Sequence, residues 1–503
     1  MKAKRSLKIF GYGILTQAAA MLLGILIPKL YIVSYGSEVN GFLSSIGQIF
    51  VYVALLEAGI ATASLQALYG PLAGENHREI SRILAAADRY YRKTGIFYGL
   101  AVAAIAGLYP ALIHADIPFS VMAGVILLQG ASGAVNYFFL GKFTVLLRAD
   151  GRSYICANAA ALINIVSKLI QILLVLSGFQ ILTVQAAYFT LNLLQLIYIR
   201  AYVKKHYGWL DPGAEPDFSA IAQRKNVMVH QIARLVFHNT DMLVLTWFCN
   251  LKVVSVYALY SMIISCVTNV IDTLCTSVEF VLGQTFHSDR QRFQKLYETY
   301  ETYYLSTAFF LFTVVLLMLP SFVELYTAGI TDIHYGDPWL PGLFVVLNLL
   351  LYARRSANQV INFAGHFRQT QSRAILEAGI NLAVSLFLVR RIGIYGVLLG
   401  TIAALLYRTN DMIFYANRRI LRQKPWRTYR RVLQNLAVMG LCTLLGKNLL
   451  PPIASYSLWI LHAVWISLLC GSLFLLTASL FDRSSFRMAA EILRGFGNKK
   501  TKT

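Results

Sequence analysis

Charged side chains stand inside stretches of the sequence that are otherwise apolar. These charges are Lys29, Lys168, Arg234, Arg354, Arg355 and Arg408, together with Glu57, Asp241, Glu377 and Asp411. A charge at membrane depth is costly, so it marks a binding site, an ion pathway or a paired network. Because the cations outnumber the acids, a cavity lined by them would favour an anion. The planar fork of arginine suits phosphate in particular.

Most of these charges belong to polar stripes, in which spacings of three and four residues place the members on one helix face. The stripes are His230, Arg234, His238 and Asp241; Asn164, Ser167, Lys168 and Gln171; Asn348, Tyr352, Arg355, Gln359 and Asn362; Glu377, Asn381 and Ser385; Thr401, Arg408, Asp411 and Tyr415; and Asn269, Asp272, Thr276 and Glu279. Such faces must meet one another or water rather than lipid. The sequence therefore predicts a central hydrated cavity of basic balance, lined from both halves of the chain.

Structural roles stay open beside these functional ones. Arg408 and Asp411 stand three residues apart and could simply pair with each other. Arg354 and Arg355 lie toward the cytoplasmic end of their helix and could extend to the interface. A structural or pairing role is also open for Lys29, Lys168, His230, His238 and Glu57. The acids that could exchange a proton or bind another cation are Glu57, Asp241, Glu377 and Asp411.

The composition places these charges in a membrane protein. Of the 503 residues 57% are hydrophobic and only 14% are charged, which is too little polar surface for a soluble chain of this size. The apolar runs have roughly the 18–25 residues that span hydrocarbon as helices, without the alternation of a membrane barrel. No cysteine has metal-ligand spacing, so we expect no metal or cofactor. The short loops leave no room for a soluble catalytic domain, so we do not expect an enzyme.

Fourteen transmembrane helices are predicted, at 9–34, 41–69, 94–114, 118–140, 154–177, 181–203, 227–249, 254–284, 302–320, 341–364, 373–390, 394–416, 432–450 and 456–480. About 35 of the 45 Lys and Arg then fall on one side of the alternating loops. The opposite side holds only Lys252, Arg390, Arg391 and Lys447. The positive-inside rule makes the basic side cytoplasmic, together with both termini. It also accounts for the net charge of +22 without any nucleic-acid partner.

Two pairs of segments repeat at an offset of about 215 residues. Residues 35–42 resemble 250–257, and residues 148–164 resemble 367–381. Internal repeats are common in transporters. The sequence therefore predicts two pseudo-symmetric six-helix lobes, 1–203 and 227–416, joined by a cytoplasmic loop at 204–226. Residues 417–503 are expected to add two helices and a basic cytoplasmic tail.

Six stretches from helix 1 to helix 12 resemble the Wzx-like polysaccharide exporters of the multidrug/oligosaccharidyl-lipid/polysaccharide (MOP) superfamily. They are 35–46 (YGSEVNGFLSSI), 55–73 (LLEAGIATASLQALYGPLA), 239–244 (NTDMLV), 256–260 (VYALY), 365–381 (GHFRQTQSRAILEAGIN) and 393–401 (GIYGVLLGT). The resemblance implies a multi-pass protein of the bacterial cytoplasmic membrane. It also implies export of polyprenyl-diphosphate-linked oligosaccharides, with a polysaccharide polymerase and glycosyltransferases as partners.

The resulting hypothesis is a flippase that works by alternating access, with its basic side chains holding the diphosphate or acidic sugars. Three alternatives remain open. A flippase for a peptidoglycan precursor of the lipid II type would also bind a polyprenyl diphosphate. A cation-coupled drug exporter of the same superfamily fits the basic balance less well. A membrane-embedded glycosyl polymerase would need a large outer loop, which is not predicted.

Overall fold

The computed structural model describes residues 21–57, 59–221, 240–449, 451 and 453–500. Within these residues all regular secondary structure is helical, which confirms the predicted all-α class. Nine of the described helices are long and apolar enough to cross a membrane. The exact count of fourteen spans and the cytoplasmic placement of the termini stay predictions.

The chain folds into two compact units, Met1–Ala258 and Leu259–Thr503. The division falls inside one long helix, Leu251–Ser288, whose first turns belong to the first unit. The predicted six-helix lobes with an appended pair of helices stay a prediction.

The first unit contains nine described helices and the start of a tenth. They are α1 (Met21–Tyr35), α2 (Ser37–Val53), α3 (Ile60–Ala73), α4 (His77–Leu112), α5 (Phe119–Val135), α6 (Gly141–Ala149), α7 (Ser153–Leu176), α8 (Ile181–His206), α9 (described over 240–248) and α10 (Leu251–Ser288). Among the described residues, two large apolar clusters contribute to its core. One surrounds Tyr91 and Leu146, and the other surrounds Phe42 and Val125.

The single helix predicted at 41–69 is wrong, because the structure divides it. After α2 the chain passes through a short 3₁₀ turn, Ala54–Glu57, before α3 begins at Ile60. Gly59 has a φ of 90°, in the left-handed region that glycine adopts without steric cost. Hydropathy cannot reveal such a break, since the sequence stays apolar on both sides of it.

Several helices begin well before their predicted starts. Helix α4 begins at His77, where Asn76 caps it by accepting a hydrogen bond from the Glu79 amide at 3.2 Å. In the second unit α11 begins at Arg290, capped by Asp289 in the same way. The segments 70–93 and 285–301 were therefore wrongly predicted as loops, because hydropathy detects only the part of a helix that lies in hydrocarbon.

The second unit consists of the rest of α10 and eight further helices. They are α11 (Arg290–Tyr326), α12 (Leu340–Ala353), α13 (Arg355–Phe363), α14 (Phe367–Ile392), α15 (Ile394–Tyr415), α16 (Trp426–Leu449), α17 (Tyr456–Phe481) and α18 (Arg483–Lys500). The helix predicted at 341–364 is interrupted at Arg354, between α12 and α13. The basic segment after α17, expected as a tail, forms the helix α18.

Candidate functional site

The interruption between α12 and α13 places Arg355 opposite two acids of α10. Its Nε lies 2.8 Å from Oε1 of Glu279, and its Nη1 contacts Oδ1 of Asp272. Asp272 and Glu279 stand seven residues apart and so share one face of α10. One guanidinium therefore bridges two turns of a neighbouring helix.

Phenol and amide groups complete this first cluster. The Tyr300 hydroxyl donates to Glu279 at 3.0 Å, and the Gln359 amide donates to the other oxygen of Glu279 at 2.9 Å. The Tyr352 hydroxyl donates to Asp272 at 3.2 Å. Glu279 is nearly buried, whereas the Asp272 side chain is 50% exposed. Glu279 is thus enclosed by its hydrogen-bond partners, whereas Asp272 forms the exposed side of the cluster.

A second ionic network joins α14 and α15 to Arg354. Glu377 contacts Arg354 through one oxygen and approaches Nε of Arg408 at 3.4 Å through the other. Arg408 also donates to Asp411 at 2.8 Å, and Arg373 donates to the second oxygen of Asp411 at 2.6 Å. The suggested pairing of Arg408 with Asp411 is therefore present. Arg408 also contacts Glu377, and Asp411 also contacts Arg373. The Arg408 side chain is almost completely buried.

The polar stripes of α14 and α15 face each other. The Asn381 amide donates to the Thr401 hydroxyl at 2.9 Å. A Cβ at Gly400 would come within 2.1 Å of the Ser385 hydroxyl, so this glycine permits the close approach of the two helices. These two stripes therefore satisfy one another within the second unit.

Around α10 and α12–α15, the two networks balance their formal charge. The four cations are Arg354, Arg355, Arg373 and Arg408, and the four acids are Asp272, Glu279, Glu377 and Asp411. Asp272, Glu279 and Arg373 were not among the candidate site residues, although Asp272 and Glu279 formed a recognised stripe. Any anion that binds here must compete with a carboxylate for its arginine.

The lysine candidates of the first unit lie on α1 and α7. Lys168 is partly buried, and a Cβ built at Gly24 of α1 would lie 3.6 Å from its Nζ. Lys29 follows on the same helix α1 and is also partly buried. A Cβ at Gly24 would make only an ordinary van der Waals contact with this ammonium group, so Lys168 of α7 lies beside α1.

Asp241 opens the described part of α9 and is buried. It accepts a hydrogen bond from the Tyr257 hydroxyl of α10 at 2.9 Å. Beside it, the Thr240 and Tyr52 hydroxyls are 2.9 Å apart. The remaining members of this predicted stripe, His230, Arg234 and His238, lie outside the described residues.

Glu57 lies at a polar cavity of about 450 Å³ within the first unit. The Tyr91 hydroxyl donates to its carboxylate at 3.1 Å. Two departures from α-helix meet here: the 3₁₀ turn that ends at Glu57, and the π turn Asn136–Leu140, whose Asn136 also lines the cavity. Arg148 lines it too, but among the described residues no cation forms an ion pair with Glu57. Irregular turns of this kind occur often at functional sites.

The repeat-related starts of α2 and α10 pack directly against each other. The Asn40 amide donates to the Ser255 hydroxyl at 2.7 Å, across 215 residues of sequence. A Cβ at Gly41 would fall 1.7 Å from the Leu251 carbonyl oxygen, so only glycine fits without a shift of the backbone. The first turns of α2 and α10 are therefore closely packed within the first unit.

One buried ionic cluster was missed by the sequence analysis. Glu301 of α11 is fully buried and lies 2.6 Å from Arg431 of α16, which also donates to Asp482 at 2.8 Å. Glu301 fell in a predicted loop and Asp482 beyond the last predicted helix. The aromatic residues Phe293, Tyr297, Tyr300 and Tyr304 continue a helical period through that loop and could have revealed α11.

Asp482 lies just beyond α17. Burial alone would raise the pKa of Asp482, but hydrogen bonds from Arg431 and Ser484 outweigh it and hold the pKa well below its usual range. The carboxylate is therefore ionised at neutral pH. The stability that it contributes is present above the ordinary carboxyl pKa and is lost only as pH falls through the lower folded value.

Comparison with known proteins shows that the fold is similar to the folds of solved transporter structures. No protein-family model matches the sequence, and no curated protein matches it. The lipid II flippase MurJ in an inward closed conformation is similar over 93% of this chain and 99% of its own, with a TM-score of 0.70 and 14% identity.

Two multidrug transporters share the fold over a shorter part of the chain. An inward-facing MATE transporter of the MOP superfamily is similar over 80% of this chain and 95% of its own, with a TM-score of 0.65 and 14% identity. The MATE multidrug transporter DinF-BH, in a ligand complex, is similar over 80% and 93%, with a TM-score of 0.55 and 14% identity. At these identities the likeness concerns the fold.

Proposed function

We propose that this protein is a MOP-type transporter that moves polyprenyl-diphosphate-linked oligosaccharides from the inner to the outer leaflet by alternating access. Its place would be the bacterial cytoplasmic membrane. A polysaccharide polymerase and glycosyltransferases would act beside it in surface polysaccharide assembly. The observation that carries the proposal is Arg355, an intramembrane arginine at a helix interruption whose counter-ion Asp272 is half exposed.

The extent of the fold likeness supports a flippase over a drug exporter. The lipid II flippase is similar over 93% of the chain, whereas each of the two multidrug transporters is similar over 80%.

The diphosphate would bind Arg355 by displacing Asp272. A phosphate oxygen pair matches the arginine fork as a carboxylate does, and it carries more charge. Asp272 can turn toward water because its side chain is half exposed, while Glu279 keeps the guanidinium oriented through Nε. The displaced carboxylate would then be free to accept a proton or another cation, which links anion binding to cation uptake.

The other cations divide by their surroundings. Lys29, Lys168, Arg234 and Arg354 keep their proposed role of holding the diphosphate or acidic sugars. Buried Arg408 would instead hold Glu377 and Asp411 in place. The polyprenyl chain would stay in the lipid.

Coupling to a cation gradient would use the acids of both units. Glu57 is the candidate we favour, because a carboxylate held by a phenol at a polar cavity can exchange a proton without breaking an ion pair. Asp241, Glu377 and Asp411 remain candidates. In transporters of this kind one helical bundle rocks against the other about a site near the membrane midplane.

A leaflet assay tests the proposal. The protein is reconstituted into liposomes that contain a labelled polyprenyl-diphosphate oligosaccharide, and a membrane-impermeant glycan-modifying enzyme is added outside. We expect the protected inner half of the label to become accessible only when the protein is present. Arg355→Ala should slow this by about 10–100-fold, the value of hydrogen bonds to a charged group, whereas Arg419→Ala, at an exposed arginine, should not.

Two results would contradict the proposal. Continued protection of the label with several glycans and an imposed proton gradient would argue against flipping. Unchanged rates in both Arg355→Ala and Arg234→Ala would be compatible with flipping but would reject the binding of the diphosphate by these arginines.

A second candidate function is a flippase for peptidoglycan precursors, favoured by the near-complete coverage of the lipid II flippase. The same liposomes can hold lipid II in place of the oligosaccharide lipid. Transport of lipid II alone would select this alternative. Transport of glycans without a peptide would select the polysaccharide pathway.

A further inference from the structure

The junction between α17 and α18 is a fixed elbow. Asp482 occupies it and accepts hydrogen bonds from Arg431 at 2.8 Å and from the Thr302 hydroxyl at 2.9 Å. The Ser485 amide donates to the other oxygen of Asp482 at 3.2 Å, which caps the first turn of α18. Since Arg431 also pairs with buried Glu301, the start of α18 is tied to the centre of its unit.

An open groove of about 800 Å³ lies along this elbow. Its wall on α17 includes Leu475, Leu476 and Leu480, which are more than half exposed. Its end on α18 is formed by Arg483 and Arg487, four residues apart and therefore on one face. The groove thus leads from apolar side chains of a membrane-spanning helix to two guanidinium groups.

The charges of the groove are uncompensated. Among the described residues no acid lines it, and neither Arg483 nor Arg487 has an ion pair there. Arg487 also borders a neighbouring recess that contains Glu298 and Glu491. Glu298 is already paired with Arg427, and no ion pair between Arg487 and Glu491 is present in this described part of the chain.

We propose that this groove is a binding site for an anionic phospholipid. Arg483 and Arg487 bind the phosphate, and one acyl chain lies along Leu475, Leu476 and Leu480. An apolar wall that ends in two cations complements a molecule with a chain and an anionic head. Basic helices at a membrane surface attract anionic lipids, and the charge pattern places α18 on the cytoplasmic side. The proposal depends on the membrane location and on no particular transported substrate.

Lipid binding to the purified full-length protein tests the proposal. The protein in a neutral detergent is titrated with dioleoyl phosphatidylglycerol or dioleoyl phosphatidylcholine, and bound lipid is counted by native mass spectrometry. We expect the phosphatidylglycerol to bind more tightly. In the double variant R483Q/R487Q its Kd should rise by about 25-fold, from about 5-fold for each basic residue at a membrane surface.

A matched control separates this site from diffuse attraction. The double variant R419Q/R430Q removes the same charge from two other exposed arginines of the basic side, and its Kd should change less than about 2-fold. Equal loss in the two double variants would overturn the proposal, because the lipid would then be responding to net charge alone.

A third variant tests the groove without touching the charges. Leu476→Trp fills the apolar wall and should weaken phosphatidylglycerol binding while the melting temperature stays unchanged. Inorganic phosphate should fail to displace the lipid. Full displacement of the lipid by phosphate, or unchanged lipid binding in Leu476→Trp, would reveal a simple anion site and overturn the proposal. Tight binding of polyprenyl phosphate without any binding of phosphatidylglycerol would also overturn it.

Discussion

In the unit Leu259–Thr503 the intramembrane charges form ion-pair networks, whereas in the unit Met1–Ala258 the carboxylate of Glu57 meets a phenol at a polar cavity. Glu377 and Asp411 each lie against two arginines, and Arg355 lies against two acids. Glu57 accepts a hydrogen bond from Tyr91 and has no ion pair among the described residues.

The difference separates two roles for a charge at membrane depth. A paired charge is stable only while its partner is present, because a lone ion in a low dielectric loses its hydration. It therefore holds helices in a fixed arrangement. A carboxylate at a polar cavity can gain or lose a proton while its neighbours stay in place, which suits a step that repeats in every transport cycle.

The largest effect on stability is expected at Arg431, which pairs with Glu301 and Asp482. Arg431→Ala leaves a fully buried carboxylate without its cation and should lower the free energy of unfolding by about 3–5 kcal/mol. Denaturant titration in detergent measures it. The control is Arg427→Ala, whose exposed pair with Glu298 should contribute about 0–1 kcal/mol. Equal losses in the two variants would mean that Glu301 is compensated by other groups.

A smaller loss is expected where α2 and α10 meet. Gly41→Ala places a methyl group against the Leu251 carbonyl, and the forced separation should cost about 1–3 kcal/mol. Gly47→Ala is the matched control, since a Cβ there meets no atom within 4 Å. Thermal unfolding of both variants checks the prediction. In the leaflet assay Gly41→Ala should also slow flipping, because the close packing of α2 against α10 would be loosened. A normal rate would show that this contact does not affect transport.

Asp272 tests whether the open side of the Arg355 cluster binds an anion. Asp272→Asn removes the exposed counter-ion, so the stability loss should stay near the roughly 0–1 kcal/mol of a surface pair. Affinity for a labelled polyprenyl diphosphate should rise severalfold, because the phosphate no longer competes with a carboxylate. Glu279→Gln is the comparison variant and should weaken binding, since it loosens the buried side of the fork. Weaker binding in Asp272→Asn would place the phosphate elsewhere.

The sequence could predict the charges of the second unit but only part of their arrangement. The stripes on α14 and α15 were recognisable because their spacing is helical and both helices are apolar elsewhere. Glu301 and Asp482 were not, because hydropathy assigns a charged turn at a helix end to a loop whether or not other helices cover it. The cavity at Glu57 was also beyond prediction. It depends on a π turn and on the small residues Gly133, Gly141, Ala157 and Ala160, which a hydropathy pattern does not distinguish from lipid-facing ones.

The smallest loss of stability is expected at Glu57. The comparison of this residue with Glu377 is the clearest test of the difference between the two units. Glu57→Gln keeps an acceptor for the Tyr91 hydroxyl and breaks no ion pair, so the free energy of unfolding should change by less than about 1 kcal/mol. Glu377→Gln makes the same chemical change beside two arginines and should cost about 3–5 kcal/mol. Denaturant titration of the two variants compares them directly.

At Glu57 we expect a large effect of the substitution on transport although its effect on stability is small. If this carboxylate carries the coupled proton, Glu57→Gln flips lipid at a rate that no longer depends on an imposed proton gradient, although the protein is as stable as the wild type. A variant that keeps the full gradient dependence would remove Glu57 from the coupling step. Equal destabilisation by Glu57→Gln and Glu377→Gln would instead remove the contrast between the units, since Glu57 would then be held by a partner as firmly as Glu377 is.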